Sequence, residues 1–189
     1  SLDEPEQLTG LSAFIIKDRI EKHPYVYKCD LKPEGKGILK ADITEKKFLA
    51  NINSGNVNYL LSENFQLIPI YPYTRNIDLP VITEPYSAKP LKVFGYVSEN
   101  KSILNAVKML HAAKLVEAGP DFYDSISEID YSGGGLEVYF NEYDFPFQLG
   151  KGNGMKKMIY LYEILNKIQL SDSVKYVDLR FNKYCYIGR

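Results

Sequence analysis

The sequence predicts an α+β fold: a small module of one helix and paired strands, then a larger, mostly antiparallel β domain with two helices. Three observations carry this. Short β-branched and aromatic runs recur between turn residues, two long stretches repeat apolar residues at helical spacing, and strands follow one another without a helix between each pair. With 189 residues, 45% hydrophobic and 25% charged, the chain can bury a real core as one large domain or two small ones. A net charge of −1 gives no electrostatic footprint for nucleic acid or anionic lipid, so no nucleic-acid partner is expected.

The first element is a helix from Leu8 to Lys22, with Leu11, Phe14, Ile15 and Ile20 as its apolar stripe and Pro24 as its stop. Tyr25 to Leu31 alternates as a strand, Lys32 to Gly37 turns, and Ile38 to Glu45 is a second strand. The unit ends near Ile52, with Asn53-Ser54-Gly55-Asn56 as the boundary, so the expected domains are residues 1–52 and 53–189. Beyond it, Tyr59 to Leu61 and Phe65 to Ile70 flank Ser62-Glu63-Asn64 as a hairpin. Leu79 to Ile82 is the clearest strand of the proline-rich stretch Tyr71 to Pro90. Ser98 to Ala118 is the longest helix, capped by Ser98 or Asn100 and closed by Gly119-Pro120. Ser125 to Asp130, Leu136 to Phe140 and Phe145 to Leu149 follow as a meander, and Met155 to Ile168 as a helix.

The chain closes on its best-patterned strand pair. Val177, Leu179 and Phe181 share one face of the first strand, and Tyr176, Asp178 and Arg180 the other. A two-residue turn at Asn182-Lys183 would set Phe181 opposite Tyr184 and Leu179 opposite Tyr186, with Arg180 opposite Cys185 and Asp178 opposite Ile187. The second strand then offers an outer edge rich in Tyr and Ile, which invites a partner strand. Tyr184 and Tyr186 either pack with Leu179 and Phe181 or face that partner; backbone pairing survives both arrangements.

Chemistry-bearing patterns are sparse. His23 and His111 fall in different elements without Cys or carboxylate at ligand spacing, so capping and packing are their expected roles. Cys29 and Cys185 are too few for a structural zinc site; they read as two buried thiols, with a single long-range disulfide as the alternative. Gly150-Lys151-Gly152-Asn153-Gly154 precedes a helix but lacks the Lys-Ser/Thr that a phosphate loop needs, and reads as a flexible connection. Gly133-Gly134-Gly135 reads as a turn, and no G-x-S-x-G elbow exists. No catalytic residue, cofactor or metal is therefore expected.

Several motifs in order resemble the extracytoplasmic part of the FtsQ/DivIB bacterial cell-division proteins. His23-Pro24-Tyr25-Val26, the Lys32-Pro33 turn and Ile38 to Glu45 are similar to the end of that family's POTRA module. Leu60 to Phe65 resembles the first hairpin of its β domain, and Leu79-Pro80-Val81-Ile82 a further segment of it. Leu149-Gly150 with the Lys-bearing helix Lys156 to Leu165 resembles its late helix, and Tyr176 to Phe181 its "y-i-D-l-R-y" strand. Lys46-Lys47-Phe48 and Asn64-Phe65 depart from the family pattern. The resemblance implies a truncated POTRA-like βαβ-type module lacking its first strand, then the family's β domain. It implies a non-enzymatic divisome scaffold acting in septum formation. Such a protein is single-pass in the cell inner membrane, held by an N-terminal anchor absent here, with this region in the periplasm. FtsB/FtsL-like partners would bind by strand addition at the C-terminal edge, through Asp178, Arg180, Phe181, Tyr184, Cys185, Tyr186 and Ile187. The sequence opens at Ser1-Leu2-Asp3-Glu4 without Met and has no apolar run near the ~20 residues that span a bilayer. An unrelated envelope POTRA-like or α+β binding module is the alternative, and a carboxylate-dependent hydrolase the next.

Overall fold

The computed structural model describes residues 10–35, 37–55, 57–72, 74, 77–84, 91–97, 100–133, 135–181 and 184–189. The start of the first helix at Leu8, the Ser98 cap and the Asn182-Lys183 turn lie outside the described residues. The chain divides into two compact units, one running through Lys47 and one beginning at Phe48.

In the first unit α1 (Gly10–Glu21) precedes β1 (Val26–Gly35) and β2 (Ile38–Glu45), which pair antiparallel. Gly35 and Gly37 carry the turn at φ +83° and +76°, a region other residues enter at a cost. Cys29 is fully buried, and its N–H donates to Glu21 Oε1 at 3.0 Å, tying strand to helix.

The second unit holds β3 (Phe48–Ser54), β4 (Val57–Ser62), β5 (Leu67–Pro69) and β6 (Val81–Glu84), then α2 (Lys101–Leu115), α3 (Pro120–Asp124) and β7 (Ile126–Asp130). It continues with β8 (Glu137–Phe140), β9 (Phe147–Gln148), α4 (Gly154–Leu165), β10 (Tyr176–Asp178) and β11 (Tyr186–Gly188). The strands form one nine-stranded sheet in the order β11-β10-β9-β8-β7-β6-β3-β4-β5. Most pairings are antiparallel, as expected, and β7-β8-β9 is the expected meander. The β3–β6, β6–β7 and β9–β10 pairs are parallel. The sequence placed the domain boundary near Ile52, whereas Phe48–Ser54 ladders with β4 and β6 inside the larger sheet. Asn100 caps α2 by accepting from Ile103 N–H, as one of the two expected residues.

Two rows of cross-strand partners cross this sheet one residue apart. Ile52, Ile82, Ile129, Val138, Phe147 and Val177 are partners in series, each with 0% exposure, and the row ends on Ile187. They share one core with the buried faces of α2 and α4. The adjacent row runs Asn53, Thr83, Asp130, Glu137, Gln148, Asp178 and Tyr186. Because successive side chains point to opposite faces, this polar row lies on the other face of the sheet. One face is thus a helix-covered core and the other polar.

The two ends of the sheet are finished differently. Along β5 a backbone turn closes the ladder: Leu67 N–H donates to Gly95 O at 2.9 Å, and Phe94 N–H donates to Leu67 O at 2.8 Å. Gln66 bridges Tyr96, and Val97 N–H donates to Phe65 O at 3.1 Å. Along β11, no strand among the described residues pairs with the outer side.

Candidate docking edge

The closing strand pair forms, one residue out of the expected register. Tyr176 faces Gly188, Val177 faces Ile187 and Asp178 faces Tyr186. A one-residue slip moves every side chain to the opposite face. Cys185 therefore packs half-buried against the core, while Tyr184 and Tyr186 stand on the polar face at 63% and 53% exposure. Phe181, expected inward, is 55% exposed and meets Tyr186 edge-on at 5.5 Å, because the strand ends at Asp178. The Tyr176 ring lies against Gly188, where a Cβ would stand 2.3 Å from it.

Asp178, expected on the outside, is buried. Its Oδ1 accepts from Arg180 N–H at 2.9 Å, a local turn that ends the strand. The same carboxylate grips the guanidinium, accepting from Nε–H at 2.9 and 3.0 Å and from Nη2 at 2.6 Å. The Arg180 side-chain hydrogen bonds hold the Asp178 carboxyl below its ordinary range, against the opposing effect of burial. Arg180 itself is exposed on the rim.

Backbone direction follows from the ladder. Val177 N–H donates to Pro146 O at 3.1 Å and Leu179 N–H to Gln148 O at 2.8 Å, so both residues turn their amide groups toward β9. By alternation Asp178 directs its groups toward β11 and Tyr186, its partner, returns them. Ile187, between Tyr186 and Gly188, therefore points its N–H and C=O away from the sheet. Its side chain is 38% exposed at the end of the apolar row.

Beside this edge lies an open cleft of about 300 Å³, lined by Gly133, Gly135, Leu136, Glu137, Gln148, Gly150, Lys151 and Arg180. Gly150 pairs with Leu136 in both directions, at 3.1 and 3.2 Å. The Lys157 ammonium donates to Leu149 O, and burial pulls its pKa down. Among the described residues no group of three or more His, Cys, Asp or Glu side chains is placed to hold a metal, and Cys29 and Cys185 are free thiols. No helix among them is long and apolar enough to cross a membrane. Sequence reasoning missed Gly150 and Lys157 as parts of this region; the glycine after a strand was visible, its neighbour across the sheet was not.

The class defined by these features is a mixed-sheet α+β domain ending in an exposed aromatic strand. Residues 50–180, more than half of the chain, match the family model described as cell division protein FtsQ/DivIB, C-terminal. The chain belongs to that family of cell-division proteins. It is also similar to "Cell division protein FtsQ" of Geotalea daltonii (strain DSM 22248 / JCM 15807 / FRC-32), at 27% identity over 185 residues. That match covers 95% of this chain and 64% of the relative, so the chain spans just under two thirds of the relative's length.

Proposed function

We propose that β11 docks an extended segment of an FtsB/FtsL-like division protein by strand addition, making the chain a non-enzymatic scaffold of the divisome in septum formation. The outward N–H and C=O of Ile187, on an edge that no described strand covers, carry this reading. Asp178, Arg180, Phe181, Tyr184, Cys185, Tyr186 and Ile187 are its contact residues. Tyr184, Tyr186 and Phe181 border the docked strand on the polar face, and Cys185 and Ile187 continue the apolar one. The same reading takes the first unit, whose order is helix, strand, strand, as POTRA-like. It places the region in the periplasm, tethered to the inner membrane through an N-terminal segment of the full-length protein.

The test is calorimetric titration with a peptide of the cognate FtsB-like protein. Ile187→Pro deletes the outward donor without touching the bonds to β10. It weakens binding at least about tenfold, the size of one hydrogen bond left unmade, while the thermal midpoint holds. Tyr186→Pro would instead remove a bond to β10 and confuse docking with folding. Unaltered affinity in Ile187→Pro rules out pairing at this edge.

A further inference from the structure

Arg180 is the charged group at the rim of the docking edge, and three separate contacts fix its course. Its backbone N–H is held by Asp178 Oδ1, and its guanidinium is gripped by both carboxylate oxygens. Between these ends the aliphatic stem lies across Gly150. A Cβ built on Gly150 would stand 2.8 Å from Arg180 Cγ, 3.4 Å from Cβ and 3.5 Å from Cδ. Those are atoms near the root of the side chain, which cannot swing aside while both ends are tied. Gly150 is itself immobilised by its paired bonds with Leu136 and by the Lys157 contact to the preceding carbonyl. Its φ of +66° adds a second reason for glycine at this position.

We infer that Gly150 is a positioning residue for docking: its bare backbone is the bed that keeps Arg180 in one conformation beside β11 before a partner arrives. The inference rests on the docking reading above. A long side chain that is already ordered loses little freedom on binding, whereas a displaced one must be immobilised again. The glycine run before α4 therefore contributes to the edge and is more than a connection. Lys157 supports the same bed from below, one step further from the partner.

Two arms test it. In the first, ¹⁵N relaxation reports the Arg180 Nε–H, which is expected to be rigid in the wild-type chain because both carboxylate oxygens hold it. Gly150→Ala, or Gly150→Asn where the left-handed backbone is tolerated, lowers its heteronuclear NOE to that of a free surface arginine. In the second, calorimetry with the FtsB-like peptide follows a double-mutant cycle. Gly150→Ala weakens binding by about fivefold to tenfold, the scale of immobilising one long side chain. Arg180→Ala also weakens it, and the double variant binds no worse than Arg180→Ala alone. An Arg180 Nε–H that stays rigid in both Gly150 variants overturns the inference, as does additive loss in the cycle. Loss of the NOE with unaltered peptide affinity overturns it too, since Gly150 would then serve the fold alone. If even the wild-type chain binds no peptide, the docking reading fails, and the inferred docking role of Gly150 fails with it.

Discussion

The two ends of the nine-stranded sheet solve the same problem in opposite ways. At β5 the chain folds back on itself, and the turn around Gly95 takes up the backbone groups of Leu67. At β11 the groups of Ile187 are left outward, with Tyr176, Tyr184, Tyr186 and Phe181 all exposed around them. Attachment differs as well. The covered end hangs on β3 and β4, of seven and six residues, whereas β9, β10 and β11 have two, three and three. Among the described residues, one edge of the sheet is closed with backbone and the other is not. The short strands also mean that side-chain packing, more than ladder bonds, holds the bare edge in place.

The largest effect should come from removing that packing. Phe147 is fully buried, pairs with Val177, and sits among Phe140, Tyr143 and Phe145 with ring centroids 5.1 to 5.5 Å away. Phe147→Ala should cost about 3–5 kcal/mol in denaturant unfolding, the usual range for a buried aromatic, and amide exchange in β10 and β11 should accelerate most. A loss under 1 kcal/mol would mean the ladder bonds suffice.

An intermediate effect tests the covered end. A Cβ on Gly95 would meet Lys92 O at 2.8 Å, a backbone atom with little room to yield. Gly95→Ala should shift the turn, cost roughly 1–2 kcal/mol, and expose β5 to pairing, read as a concentration-dependent dimer in sedimentation. A chain that stays monomeric with that stability loss would show that the turn stabilises the fold without shielding the edge.

The smallest effect is a titration at the open end. The Asp178 carboxyl is depressed in the folded chain relative to ~3.9 when unfolded. Its stabilising contribution is therefore complete above the ordinary carboxyl range and disappears as pH falls through the lowered folded value. Carbon-13 detection of the Asp178 carboxyl should give a midpoint below that of exposed aspartates, and Arg180→Ala should raise it. A midpoint unmoved by Arg180→Ala would mean the pair does not form in solution.

The final strand pair was legible in the sequence because period-two alternation marks it locally. The meander from Ser125 and the Asn100 cap were legible for the same local reasons. What escaped depends on neighbours far apart in the chain. Alternation assigns residues to faces but is silent about which strand lies alongside, so the parallel joints of β3 with β6 and β9 with β10 were not foreseen. The hairpin register was off by one because a two-residue turn fitted the local residues equally well, and that one step exchanged Tyr186 for Ile187 on the core face. Asp178 and Arg180 share a strand face, so their pairing was legible, but as an exposed pair. What nothing local reveals is that the carboxylate closes on Arg180 N–H as well and withdraws from water. Gly150 read as slack, because its role lies in what passes over it.

The turn that closes β5 has one more consequence, in the arithmetic of assembly. A sheet with two bare edges is bivalent, and successive additions along it can grow without limit, as in a fibril. With one edge taken up by the chain's own backbone, docking at β11 as proposed above would be monovalent: one strand would add and the growth would stop there. Complexes formed by that docking would then be fixed in stoichiometry, one partner strand to each copy of the chain.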